Sequence, residues 1–241
     1  MTLHYHGTPI TPLTALYEMR GRHLCVSHAR PDDVVRAHAI AQSVMLDNGA
    51  FSAWKRGHEP SWAAYYAWCD RWLQYPTTWA VIPDVIDGGS QLQDALLSDW
   101  PHGKRGAPVW HMDEPINRLL RLCDEWPRVC IGSTAAYAVV LSDDWRRRMD
   151  ECWSEIMARH RHLPWVHMLR GMQCVARRWP FASVDSTDVA RNHNRSQNTP
   201  RAMADRWDAM QCGPKPIVSS HEQIELTLAT GRRALAEAEG E

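Results

Sequence analysis

Short apolar runs, many of them β-branched, recur along this chain and alternate with stretches of helical periodicity. No other feature restricts the fold more. The runs cover residues 23–29 (His23-Leu24-Cys25-Val26-Ser27), 43–47, 78–84, 107–111, 128–133, 164–169, 181–185 and 216–219. Near-continuous apolarity over such short lengths marks strands buried on both faces, as in parallel sheets. Between them, Trp62, Tyr66, Cys69 and Leu73 keep the rhythm of one buried helical face. Ile116, Leu119, Leu120 and Cys123 do the same behind the start signals Asp113 and Pro115, as do Trp145, Met149, Cys152 and Ile156. A last helix is predicted over 221–237, capped by Ser219 or Ser220. Eight strand-like runs alternating with helices in 241 residues predict an α/β fold. The expected form is a single compact (β/α)8 barrel of the TIM type spanning 1–241, with a doubly wound open sheet as the alternative. Residues 1–22, with Gly7-Thr8-Pro9 and Thr11-Pro12, read as turn-rich and carry no assigned role. His4 and His6 alternate as in a strand, but two histidines without a third ligand do not make a metal site.

Composition narrows the function classes. A net charge of -1 and a pI of about 6.9 leave no global basic field for nucleic acid, so any such binding must come from a local patch. Lysine occurs only at 55, 104 and 215; the other basic residues are arginine, the better phosphate fork. The 13 Trp beside 2 Phe are expected in the core and the helix–barrel seams, with one or two left to stack on a base. Seven Cys without a Cys-x-x-Cys pair argue against a disulfide framework or a zinc knuckle and fit a reducing cytoplasm. No apolar run approaches a membrane span, and Met1-Thr2-Leu3-His4-Tyr5-His6 lacks signal-peptide order, so no membrane partner is expected. Dinucleotide, P-loop and zinc-protease motifs are missing, so neither cofactor nor metal is expected.

In a barrel, residues at strand C-terminal ends share one rim. Here those ends carry Asp47, Asp84, His111, Gly132-Ser133, His167 to Gly171, and Asp185. Three carboxylates, two histidines and flexible glycines on one rim predict a functional pocket. Asp47 opens Asp47-Asn48-Gly49-Ala50-Phe51, where Gly49 allows a tight turn and close backbone approach. The loop after Asp185 holds arginines and amides but no lysine, so Arg191, Asn192, Asn194 and Arg195 are candidates for phosphate contacts. A solvated polar loop is the plain alternative.

These segments resemble the tRNA-guanine transglycosylases. Leu46-Asp47-Asn48-Gly49-Ala50-Phe51 is similar to that family's Asp-Ser-Gly-Gly-Phe/Tyr-Gln signature. Val81-Ile82-Pro83-Asp84 sits where the family has its second base-recognising aspartate. Pro108-Val109-Trp110-His111 and Ile131-Gly132-Ser133 resemble its Val-Gln-Gly and Ile-Gly-Gly segments, and Phe181 to Asp185 followed by Arg191 its nucleophile strand. Order and approximate spacing match over about residues 43–195. The family's zinc insert is missing, His111 stands for a glutamine and Ser133 for a glycine. The trimmed chain is closer to the phage and bacterial branch that places 7-deazaguanines in DNA.

The resemblance implies Asp185 as nucleophile at C1′ and Asp47 as general acid/base, the two-carboxylate logic of retaining glycosidases. It implies base recognition by Asp84, His111, Gly132, Ser133, Phe51 and Gly171. The implied partners are DNA (alternatively tRNA) with the target base flipped out, and a free 7-deazaguanine such as preQ0. A homodimer is compatible with the sequence. Other readings are an N-glycosidic hydrolase with the same two acids, a non-catalytic nucleic-acid-binding subunit, and a metal-dependent barrel hydrolase using His111, His167 and an Asp.

Overall fold

The computed structural model describes residues 1–195 and 197–212. Among the described residues, nine strands form one parallel sheet: β1 (Leu3–Gly7), β2 (His23–Ser27), β3 (Ser43–Asp47), β4 (Thr78–Val81), β5 (Gly106–Ala107), β6 (Val109–His111), β7 (Arg128–Gly132), β8 (Trp165–Met168) and β9 (Ser183–Ser186). Their order is β5-β4-β3-β2-β1-β9-β8-β7-β6. The two ends of that list, β5 and β6, are separated in sequence only by Pro108. The sheet therefore closes through one strand broken at a proline, and the barrel has eight staves. Pro108 has no N–H to give the ladder, yet its carbonyl still accepts from Cys130 N at 2.8 Å.

The strand runs read from sequence recur with one difference. The turn-rich N-terminus supplies β1, which pairs with β2 on one side and β9 on the other. The run at 216–219 and the helix at 221–237 lie outside the described residues.

Around the barrel lie α1 (Leu13–Tyr17), α2 (Asp33–Ile40), α3 (Ala50–Lys55), α4 (Trp62–Trp72), α5 (Ser90–Ser98), α6 (Ile116–Glu125), α7 (Asp143–Arg159), α8 (Asp188–Asn192) and α9 (Pro200–Asp208). Sequence sets several of their starts. The hydroxyls of Ser61, Ser142 and Thr199 accept from Ala64, Trp145 and Ala202 N–H, and Pro200 takes the first turn of α9.

Strand alternation divides the core into three parts. Tyr5, Cys25, Met45, Trp79, Val81, Ala107, Val109 and Cys130 fill the barrel interior. Outward residues such as Leu24, Val44 and Leu46 pack against Tyr65, Cys69 and Trp72 of α4. On the opposite side, Val129, Ile131 and Val166 meet Leu119 and Leu122 of α6 and Trp145, Met149 and Ile156 of α7. Both faces of most strands are thus apolar, which is why they read as continuous runs. The exception is β1, whose His4 and His6 turn outward to Asp208 of α9, at 3.6 and 3.1 Å. Among the described residues, no helix is long and apolar enough to cross a membrane.

Candidate active site

The strand ends bring three carboxylates to one mouth. Asp47 closes β3, Asp185 lies near the end of β9, and Asp84 follows β4 after Ile82-Pro83. Asp47 keeps part of its surface open to solvent, but protein surrounds the carboxyl on its other sides. Burial, and then the neighbouring charges of Asp185 and Asp84, push its pKa up to about 6, against the opposing bonds from Ser27 and from Gly49 N–H. The layer beneath responds to the same charges. The buried thiol of Cys25 is pushed well up by burial, then by Asp185 and Asp47; that of Cys130 by burial, then by Asp185, Asp84 and Asp47.

Asp185 is held from one side only. Arg170 N–H donates to its Oδ1 at 2.7 Å, and His167 Nε2 lies 3.2 Å from the same oxygen. The tautomer of His167 follows from its other neighbour. Trp165 Nε1–H donates to Ser183 Oγ at 2.9 Å, so the Ser183 hydroxyl hydrogen is free to point at His167 Nδ1, 2.8 Å away. His167 then donates from Nε2 to Asp185. Oδ2 is left without a protein donor among the described residues.

Asp84 is the second hub. Asn48 Nδ2 donates to its Oδ1 at 2.7 Å and to Ile82 O at 2.8 Å, while Asn48 Oδ1 accepts from Ala50 N at the start of α3. His111 Nε2 lies 2.8 Å from Asp84 Oδ2. Burial alone would lower the His111 pKa; the hydrogen bond and charge of Asp84, with Glu114 and Asp113, outweigh it and raise it. The other ring nitrogen faces Gln93 Nε2 at 3.3 Å, and Gln93 is fixed by paired bonds to Val85 N and O. That amide can only donate, so in the neutral ring Nδ1 accepts and Nε2–H donates to Asp84. His111 thus positions Asp84 instead of projecting freely into the mouth.

The other sequence candidates divide. Gly132 faces His111 so closely that an added Cβ would lie 2.9 Å from His111 Cδ2. Phe51, at the start of α3, is 37% exposed, and the Arg170 guanidinium lies 4.1 Å from its ring centroid. Ser133 does not present its hydroxyl to the mouth: it accepts from Trp145 Nε1 at 2.9 Å in the α7 seam, while its carbonyl accepts from Arg170. Gly171 is pressed against Met168, where a Cβ would meet Cγ at 2.3 Å, so it serves a tight turn. Asn192 bonds Asp188, and with Arg195 it lines a surface depression of about 320 Å³ against Arg206, Trp207 and Met210 around α9. Arg191 lies on α8 and Asn194 on the turn after it, and none of these four is hydrogen-bonded to the three carboxylates among the described residues.

Sequence reading placed Asn48 and Arg170 in the rim segments without giving either a role, and did not single out Gln93. Arg170 sits at φ 54°, a left-handed conformation uncommon for arginine, and its N–H reaches Asp185. Among the described residues, no group of three or more His, Cys, Asp or Glu is placed to hold a metal ion. His4 and His6 are committed to Asp208. Compared with family models, curated proteins and solved structures, the chain matches none.

Proposed function

We propose that this chain is a base-exchange transglycosylase that replaces guanine in DNA by a 7-deazaguanine derivative, through a covalent glycosyl ester on Asp185. The observation that carries the reading is the pair Asp47 and Asp185. One carboxyl is pushed up to about 6, where it can hold a proton near neutral pH. The other is tethered through one oxygen, and its second oxygen accepts no hydrogen bond among the described residues.

In the first step, Asp185 Oδ2 forms a bond to C1′ as the glycosidic C–N bond breaks. The bonding pair leaves with the base, and Asp47 supplies a proton to it. Oδ1 becomes the ester carbonyl oxygen and keeps its bonds to Arg170 N–H and His167. Those donors stabilise the carboxylate when it departs again. In the second step a ring nitrogen of the incoming base attacks C1′, Asp47 takes back the proton and Asp185 is released. Asp84, oriented by Asn48 and His111, retains a second acceptor direction on each oxygen, which suits the N1–H and amino group of a guanine-like base.

The test is trapping. Guanine-containing DNA, and separately tRNA, is incubated with the protein and with Asp185→Ala, then resolved by denaturing gel and intact mass. An adduct absent from Asp185→Ala and discharged by a free 7-deazaguanine supports the proposal and names the polymer. Base release into water without exchange assigns the same two acids to a hydrolase. Binding with neither product refutes the enzyme reading.

A further inference from the structure

We infer that Phe51 and Trp54, side by side on α3, form a stacking platform for single-stranded DNA next to the mouth, so that the substrate strand crosses α3. The inference rests on the proposed function for the identity of the mouth, and names the surface on which the polymer lies. Phe51 and Trp54 are one helical turn apart and therefore share a face. Both are open to solvent, Trp54 at 48%, with ring centroids 5.7 Å apart and planes inclined by 32°. Trp54 is the most open of the tryptophans: Trp72, Trp79, Trp100, Trp110, Trp145, Trp153 and Trp179 are buried, and Trp62, Trp68, Trp126, Trp165 and Trp207 are half-buried. Trp54 is not loose. Its Nε1–H donates to Asp87, in the turn that follows Asp84, which fixes the indole by its edge and leaves a face available.

Cations border the pair. Arg170 lies over Phe51, and exposed Lys55 and Arg56 end the same helix. Aromatic faces beside Lys and Arg are what sequence-tolerant binding of a single strand requires: bases stack on the rings and phosphates meet the charges. The loop after β9 is less suited. There Arg206 is engaged with Asn198 and Asn192 with Asp188.

The experiment uses the full chain carrying Asp185→Ala, so that no chemistry intervenes, and a fluorescent oligothymidylate, which contains no target base. Anisotropy titrations compare it with the same chain bearing Trp54→Ala, Trp54→Phe or Phe51→Ala, each checked for native circular dichroism. Trp54→Ala is expected to weaken binding roughly 5- to 150-fold, the range for losing one base stack. Trp54→Phe should restore most of it, and Lys55→Ala should lower the salt slope by about one. Unchanged affinity in both alanine variants overturns the inference. So does a concentration-dependent dimer of the parent that Trp54→Ala dissociates while strand affinity stays constant, since the pair would then serve self-association. The two readings fail separately: strand binding that needs Trp54 without any Asp185 adduct leaves the platform standing and removes the enzyme. An adduct formed equally well by Trp54→Ala does the reverse.

Discussion

Replacing Asp47 by asparagine should stabilise the fold and do so only above a defined pH. In the unfolded chain this carboxyl has its ordinary pKa near 3.8; in the folded protein burial, followed by the charges of Asp185 and Asp84, moves it to about 6. Below 3.8 both states hold the proton and the group is neutral to stability. Between 3.8 and about 6 the folded state keeps a proton that the unfolded state has lost, so stability falls as pH rises; above 6 the full penalty applies. The shift corresponds to about 3 kcal/mol, an upper bound because solvent reaches the carboxyl at the mouth. Asparagine keeps an oxygen for Gly49 N–H and removes the charge at nearly constant shape. Urea unfolding of both proteins from pH 4 to pH 8 should show curves that coincide near pH 4 and separate up to pH 6–7. At pH 8 the variant should melt up to roughly 6–12 °C higher. In the trapping assay the same variant should be inactive. A stability difference that does not change with pH, or that shrinks as pH rises, would refute the electrostatic account of this site.

Other outcomes follow from single contacts. Gly132→Ala places a Cβ against His111 and should cost about 1–3 kcal/mol in unfolding experiments while reducing adduct yield. His167→Ala removes a donor to Asp185 and should slow adduct formation by roughly 10- to 150-fold in single-turnover measurements, with strand affinity retained. His4 has its pKa lowered to about 4 by burial, partly offset by Asp208 and reinforced by His6 and His23. Its depressed folded pKa makes stability fall as pH drops from 6.5 towards 4, by up to about 3 kcal/mol, and His4→Gln should flatten that limb of the denaturation profile. Asn48→Ala leaves Asp84 with one tether and Ala50 N without its acceptor, and should destabilise by about 1–3 kcal/mol.

The strands were legible because each is covered on both faces. Residues 128–133, for instance, place Cys130 inside the ring and Val129 and Ile131 against helices. β1 escaped that reading because its outward side chains, His4 and His6, meet a carboxylate instead of an apolar seam. The rim was legible from strand ends alone, which located Asp47, Asp84, His111 and Asp185. Their partnerships were not, because those depend on distant segments. Gln93 reaches His111 only once α5 packs back over the turn after β4, and Arg170 reaches Asp185 only through an unusual backbone angle. The direction of the Ser133 hydroxyl was hidden for the same kind of reason: the indole of Trp145, twelve residues on, draws it out of the mouth.

The place of β1 in the ring governs the order in which this protein can be completed. Residues 3–7 precede every other described strand in the chain, yet one of their two neighbours, β9, consists of residues 183–186. Until β9 is made, β1 therefore keeps one strand edge open, and among the described strands the β1–β9 pairing joins the segments most distant in sequence. Any N-terminal trimming beyond Thr2 removes a strand with partners on both sides, and leaves two unsatisfied edges where there had been none.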